Sequence, residues 1–201
     1  MNKPKFIAAD PSQDKDALII DWIRHTSLKV DGSMCYGQTD VKVSDTFEQE
    51  AAIVRDTISG RDYDAVYTSP LSRAADLAAF CGYPDAIRDP RVMEMDFGDW
   101  ETRQWSDLIR DIDMDEWFNN WHKITPPNGE NLQDLLDRVR DFIEEVRMLG
   151  YRRIAVFCHG GVINSASFMH GDIEVDRIFR DVPPYGSVNT IYYASTEGVE
   201  R

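Results

Sequence analysis

Two arginines and two histidines occupy positions that local preference does not favour. Arg24-His25 closes the apolar run "ALIIDWIRH" at 17–25, His159 follows the run in "RIAVFCHGGVINSASFM" at 153–169, and Arg73 lies in "AVYTSPLSRAADLAAF" at 65–80. In the last segment Ser69 reads as a helix N-cap and Pro70 as the first helical residue. Arg73 then falls in the first helical turn, where the macrodipole disfavours a cation by roughly 0.3–1 kcal/mol. An anion bound at that helix start would reverse the sign of the conflict. A phosphate monoester suits such a cluster, because it carries about −1.5 to −2 charges near neutral pH. Arginine presents planar, bidentate donors to its oxygens. An imidazole attacking phosphorus must be neutral, and neighbouring guanidinium groups push its pKa in that direction. Of the two histidines, His25 would lie between Arg24 and the incoming phosphate. An acid is then needed for the leaving alkoxide. The stretch "RVMEMDFGDWE" at 91–101 offers Glu94, Asp96, Asp99 and Glu101, and the residue types alone do not choose among them.

These side chains must be delivered by strands and helices. The three segments share one order: an apolar run, small or polar residues, then a helical pattern. Continuous apolar runs fit strands buried on both faces of a parallel sheet. Ligands of such sheets gather at the carboxyl ends of the strands, where Arg24, His25 and His159 fall. "SDTFEQEAAIVRDTISG" at 44–60 predicts a helix with Phe47, Ala51, Val54 and Ile58 on one face, capped by Ser44 and ended by Gly60. "GENLQDLLDRVRDFIEEVRMLG" at 129–150 predicts a second, with a core stripe from Leu132 to Val146. The Trp-rich residues 100–122 predict irregular helices able to cover a site, and "TIYYA" at 190–194 a late strand. The sum is an α/β sandwich with a mainly parallel sheet. We expect one domain over residues 1–201, with 1–16 a loosely packed extension in which Phe6-Ile7 could pack.

Composition narrows the partners. With 201 residues and a net charge of −14, the chain is not built like a binder of nucleic acid backbone. No run approaches the roughly 18 apolar residues of a membrane span, and the N-terminus lacks an apolar secretory core. Three scattered cysteines, Cys35, Cys81 and Cys158, suggest reduced thiols in a cytoplasm. "GSMCYGQT" at 32–39 has Gln38 where a P-loop requires lysine. No cysteine is followed by an arginine six residues on, no histidine spacing suits zinc, and neither GxGxxG nor GxSxG occurs. No cofactor or metal is expected.

Taken together, "IRHT" at 23–26, "TSPLSRA" at 68–74, "MEMDFGDWE" at 93–101 and "CHGG" at 158–161 resemble the histidine phosphatase superfamily, also called phosphoglycerate mutase-like. The four motifs stand in the family's order across most of the chain. The resemblance implies a three-layer α/β/α fold with a mainly parallel sheet, and His25 as a nucleophile forming a phosphohistidine. It implies that Arg24, Arg73 and His159 bind phosphoryl oxygens and that Glu94, four residues before Gly98, is the proton donor. Asp96, Asp99 and Glu101 then take structural roles. "RHTS" with "CYGQTDV" looks most like the α-ribazole phosphatase branch, which implies hydrolysis of α-ribazole 5′-phosphate in cobalamin biosynthesis. In that reading Tyr36, Gly37 and Gln38 line the phosphate-side rim, the Thr26 hydroxyl donates to the phosphate, and Gly160 completes the substrate-binding set. The partner is a small phosphate monoester, with neither nucleic acid nor membrane; the oligomeric state, a homodimer included, is left open. Lys42 replaces a proline usual in similar sequences, an asparagine shortly after the Arg-His pair is missing, and Asp21 interrupts an apolar strand. Rival readings are a broad-specificity phosphatase, a phosphoglycerate mutase and a catalytically silent phospho-ligand binder.

Overall fold

Successive residues of the central strands feed two different cores. The computed structural model describes residues 6, 14–30, 32–111 and 120–195. Strand β1 (Leu18–Arg24) sends Leu18, Ile20 and Trp22 to one face and Ile23 to the other. Its neighbour β4 (Arg153–Cys158) sends Ile154, Val156 and Cys158 one way, and Ala155 and Phe157 the other. Side chains alternate across a strand, so a strand covered on both faces reads as an unbroken apolar run. The remaining strands are β2 (Ala65–Thr68), β3 (Ile87–Arg88) and β5 (Val188–Tyr193), in the order β3-β2-β4-β1-β5. Among the strand pairs of this sheet, β1–β5 is antiparallel and the other three are parallel.

Helices α1 (Phe47–Ile58) and α2 (Ser72–Phe80) cover one face, with Ala51, Val54, Ile58, Ala74 and Leu77 in its core. The short α3 (Trp105–Asp111) lies in the connection after β3. Helices α4 (Leu132–Met148) and α5 (Gly160–His170) cover the other face. The α4 stripe from Leu132 to Val146 is buried as its spacing predicts. A capping box between Asn131 and Asp134 fixes where α4 begins. No helix among the described residues is long and apolar enough to cross a membrane.

Two local expectations are corrected. Helix α1 starts after Thr46, and Ser44 instead joins a hydroxyl network with Ser27 and Thr46. Helix α2 starts at Ser72, not at Pro70; its first turn is capped from a distant loop by Asp40, whose carboxylate accepts from Ser72 N–H at 2.9 Å and Oγ at 2.8 Å. The two-residue strand β3 carried no readable pattern. Residues 1–5 and 7–13 of the expected extension, and 112–119 of the expected cover, lie outside the described residues. Phe6 is buried edge-on against Tyr193.

Asp21, the misfit in β1, is fully buried and balanced by Arg61 and Arg153, each at 2.9 Å, with hydrogen bonds from Tyr63 and Thr190. Burial alone would raise its carboxyl pKa, but these partners outweigh that and hold it below the usual range. Gly98 packs where no side chain fits: φ is +51°, and a Cβ would lie 2.2 Å from the Pro127 carbonyl and 2.6 Å from Gly129 N. Gly98→Ala is therefore expected to cost roughly 2–5 kcal/mol from backbone strain plus overpacking. A denaturant midpoint shifted to match would show it.

Candidate active site

The register of two adjacent parallel strands sets the two histidines side by side. Arg24 is opposite Cys158 in the β1–β4 ladder, so the next residues out, His25 and His159, emerge together with ring centroids 5.2 Å apart. Both are buried, at 2% and 0% exposure. On the other flank of β4, Thr68 pairs with Phe157, and the next residue, Ser69, brings its hydroxyl to 2.8 Å from His159 Nε2.

The hydrogen bonds fix the protons. His25 Nδ1 is 2.7 Å from the Thr26 carbonyl, which can only accept. Nδ1 therefore carries the hydrogen and Nε2 the lone pair. Burial, then the Arg73 and Arg24 charges, hold His25 well below the usual histidine range despite the Thr26 bond, so the ring is neutral. Arg73 Nε donates to His159 Nδ1 at 3.3 Å, so His159 keeps its hydrogen on Nε2 and gives it to Ser69. Burial and the Arg73 charge keep His159 neutral as well. Both His159 nitrogens are thus engaged; for it to donate to a phosphoryl oxygen it must release Ser69.

Arg73 is fully buried and also donates to the Gly37 and Thr39 carbonyls. It thereby pins the loop carrying Tyr36, Gly37 and Gln38. Glu101 holds the same loop from behind, accepting from Gln38 N, Thr39 N, Thr39 Oγ1 and Phe97 N. Those four bonds outweigh burial and keep the Glu101 carboxyl below its usual range. Arg24 donates to the Pro183 carbonyl and lies 4.0 Å from the centroid of the Tyr185 ring. A Cβ on Gly160 would lie 2.2 Å from Val182 Cγ1, so glycine at the start of α5 lets Val182 pack there, with the Arg24 guanidinium in ordinary contact beyond it. Among the described residues, Arg24 Nε and Thr26 Oγ1 are buried polar atoms without a hydrogen-bond partner.

Glu94 reaches the same place from a loop. Its carboxylate accepts from Met95 N at 3.0 Å and from Gly161 N, in the first turn of α5, at 3.1 Å. A Cβ on Gly161 would sit 2.3 Å from Glu94 Oε1, so glycine is needed for that approach. Glu94, Arg24, Tyr36 and Gly161 line a cleft of about 580 Å³, walled further by Met34, Phe97, Trp105, Phe179, Val182 and Tyr185, with Asp176 and Arg180 at its side. His25, Arg73 and His159 are buried beside it. A second cavity of about 260 Å³, between Arg147, Tyr151 and Ser195, opens at the other end of the strands and contains none of these residues. Burial pushes the Cys35 and Cys81 thiols up to about 12 and raises Cys158 as well, which leaves no thiolate to act as a nucleophile. Among the described residues no three histidine, cysteine or carboxylate groups are arranged to hold a metal ion.

All ten residues singled out from the sequence converge here: Arg24, His25, Thr26, Tyr36, Gly37, Gln38, Arg73, Glu94, His159 and Gly160. Three further residues meet the site without a signal for it in the sequence: Ser69, Tyr185, and Arg138 of α4, whose Nη2 donates to the Glu94 carbonyl at 3.0 Å. Ser69 reads in the sequence as a helix cap. Tyr185, whose ring is 5.5 Å from His25 and whose hydroxyl is 3.0 Å from that of Tyr36, comes from the loop before β5.

Neutral imidazoles among guanidinium groups, at the carboxyl ends of parallel strands, suit an anionic phosphoryl group. The chain belongs to the histidine phosphatase superfamily (branch 1), whose family profile matches residues 22–200. It is similar to the adenosylcobalamin/α-ribazole phosphatase of Escherichia coli (strain K12), 31% identical over 151 residues, which is 71% of this chain and 73% of that one. Phosphoserine phosphatase 1 of Hydrogenobacter thermophilus is 27% identical over 126 residues, 60% of this chain and 59% of that one. Among solved structures, the α-ribazole phosphatase from Shigella flexneri superposes with a TM-score of 0.76 over 91% of this chain and 100% of that one, at 23% identity, a likeness of fold.

Proposed function

We propose that the protein is a phosphomonoesterase working through a phosphohistidine on His25, with α-ribazole 5′-phosphate as its substrate. The observation that carries the chemistry is the His25 ring itself, neutral, with Nδ1–H spent on the Thr26 carbonyl and the Nε2 lone pair unspent. Nε2 attacks phosphorus, the P–O ester bond breaks, and Glu94 gives its proton to the departing alkoxide. Glu94 then takes a proton from the water that attacks the P–N bond, which releases phosphate and restores the imidazole. Arg24 and Arg73 stabilise the charge on the transferring group throughout.

The substrate assignment rests on the walls of the cleft. Met34, Phe97, Trp105 and Phe179 offer apolar and aromatic surface beside Glu94. A benzimidazole riboside presents a flat, uncharged aromatic base to such walls. Burying about 100 Å² of it is worth roughly 2.5 kcal/mol, or about 60-fold. With EDTA present, kcat/KM for α-ribazole 5′-phosphate should exceed that for ribose 5-phosphate by at least about 10-fold. Asp176 and Arg180, 3.7 Å apart beside the same cleft, favour a second reading, in which they hold the ammonium and carboxylate of phosphoserine. Phosphoserine, or 3-phosphoglycerate in a mutase assay, emerging as the best substrate would overturn the α-ribazole assignment.

A further inference from the structure

Glu94 lies in no helix or strand. It follows the 3-10 turn Pro90–Val92 and precedes another at Gly98–Trp100. A general acid must nonetheless be held within hydrogen-bond reach of one leaving oxygen. Something outside the loop has to hold it, and one side chain on α4 is so placed.

Arg138 spends all five of its N–H donors on that task. Its Nη1 donates to the Arg91 and Met93 carbonyls, both at 2.7 Å. Nη2 donates to the Glu94 carbonyl at 3.0 Å and to Glu130 Oε2 at 2.9 Å, and Nε to Glu130 Oε1 at 2.7 Å. Glu130 in turn accepts from Asp96 N at 3.0 Å, and its own N–H donates to the Asp96 carbonyl at 2.9 Å. Segment 91–96 is thus held on both sides of Glu94 by one ion pair anchored at the start of α4, where the capping box leaves little freedom. The pair is largely covered, at 16% and 22% exposure. A guanidinium fork can meet three carbonyls and a carboxylate at once; an ammonium cannot.

We propose that Arg138 is a positioning residue for the proton-transfer step: it fixes the Glu94 backbone so that the carboxyl meets the leaving oxygen. The inference rests on Glu94 being the proton donor. Only a poor leaving group needs that proton. Loss of Arg138 should therefore act selectively on alkyl esters, whereas general loosening of the fold would act on every ester alike.

The test compares kcat/KM, which reports phosphoryl transfer to His25, for ribose 5-phosphate and p-nitrophenyl phosphate in wild type, Arg138→Gln, Arg138→Lys and Glu94→Gln. General acid catalysis contributes about 10²–10⁴-fold. Glu94→Gln should lose at least about 10²-fold more on the alkyl ester than on the aryl ester. Arg138→Gln should show the same selectivity, about 10-fold or more, and Arg138→Lys should not restore it. If Arg138→Gln unfolds, Glu130→Gln, which keeps the carbonyl contacts but removes the ion pair, should show a smaller selectivity of the same sign. Equal losses on both esters in the Arg138 and Glu130 variants, with Glu94→Gln selective, would overturn this proposal alone. Absence of selectivity in Glu94→Gln would overturn the proton-donor reading and this proposal with it.

Discussion

His25→Ala is expected to abolish phosphoryl transfer, with a fall in kcat/KM of at least about 10⁴-fold, the scale on which enzymes lose a covalent nucleophile. The substitution removes the Nε2 lone pair proposed to attack phosphorus, while Arg24, Arg73 and Glu94 remain to bind. Substrate should therefore still associate, and wild type quenched during turnover should carry an alkali-stable, acid-labile phosphate that the variant lacks. Full activity in the variant, or label on another residue, would end the phosphohistidine reading. A pH signature accompanies it. His25 must be neutral to attack, and its pKa is held well below 6.5 by burial, then Arg73, then Arg24. The limb of kcat/KM that belongs to the enzyme should consequently lie well below pH 6.5. Stability follows the same sign. Between the depressed folded pKa and 6.5 the unfolded chain binds more protons at His25 and His159 than the folded one does, so stability rises with pH through that window and is lost as the medium turns acid.

What could be read from the sequence was whatever one strand or one helix carries by itself. The β1 and β4 runs are apolar because both faces of those strands are covered, and their last residues stood out as polar at a predicted carboxyl end. The sequence could not give the register. Only the pairing of Arg24 with Cys158 makes His25 and His159 neighbours. Ser69 reads as a helix cap because it precedes Pro70; its hydroxyl instead faces His159 and accepts from Leu71 N–H at 3.3 Å, and the first residue of α2, Ser72, is capped by Asp40, 32 residues before it. Arg138 gave no signal at all. On an amphipathic helix an arginine looks like part of the solvated face, and its partners, apart from Glu130, are backbone carbonyls that leave no trace in residue types. In the sequence only the family resemblance singles out Glu94 among four acids; in the structure its carboxylate faces Gly161 and the cleft, whereas that of Glu101 is consumed by the Gln38–Thr39 loop.

The excess of acid over base, at −14, makes the site's polarity a local construction. Arg24 and Arg73 are turned inward against backbone carbonyls, and Arg73 is stripped of water entirely. A buried cation is expensive unless something compensates it. Three neutral acceptors compensate Arg73 in part, and a bound phosphoryl dianion would complete it.

Arg73→Met should expose that arrangement most clearly, with kcat/KM falling about 10²–10³-fold, the loss typical of removing one charge-stabilising donor from a dry site. Methionine fills much of the same volume, so lost activity need not mean lost packing. Arg73 is also the stronger of the two charges depressing His25, after burial itself. Without it the His25 pKa rises toward 6.5, and the acid limb of kcat/KM moves up. Phosphate monoesters titrate near pH 6 themselves, so the limb is read as a shift between variant and wild type on one substrate, where the ester's own ionisation cancels. Arg73→Lys separates the two roles. It keeps the cation and therefore the position of the limb, but a lysine cannot span Gly37, Thr39 and His159 while also presenting a fork to phosphate, so KM rises. A limb that stays in place in the methionine variant would mean that Arg73 does not set the His25 charge state, and unchanged kcat/KM in both variants would remove it from phosphoryl binding.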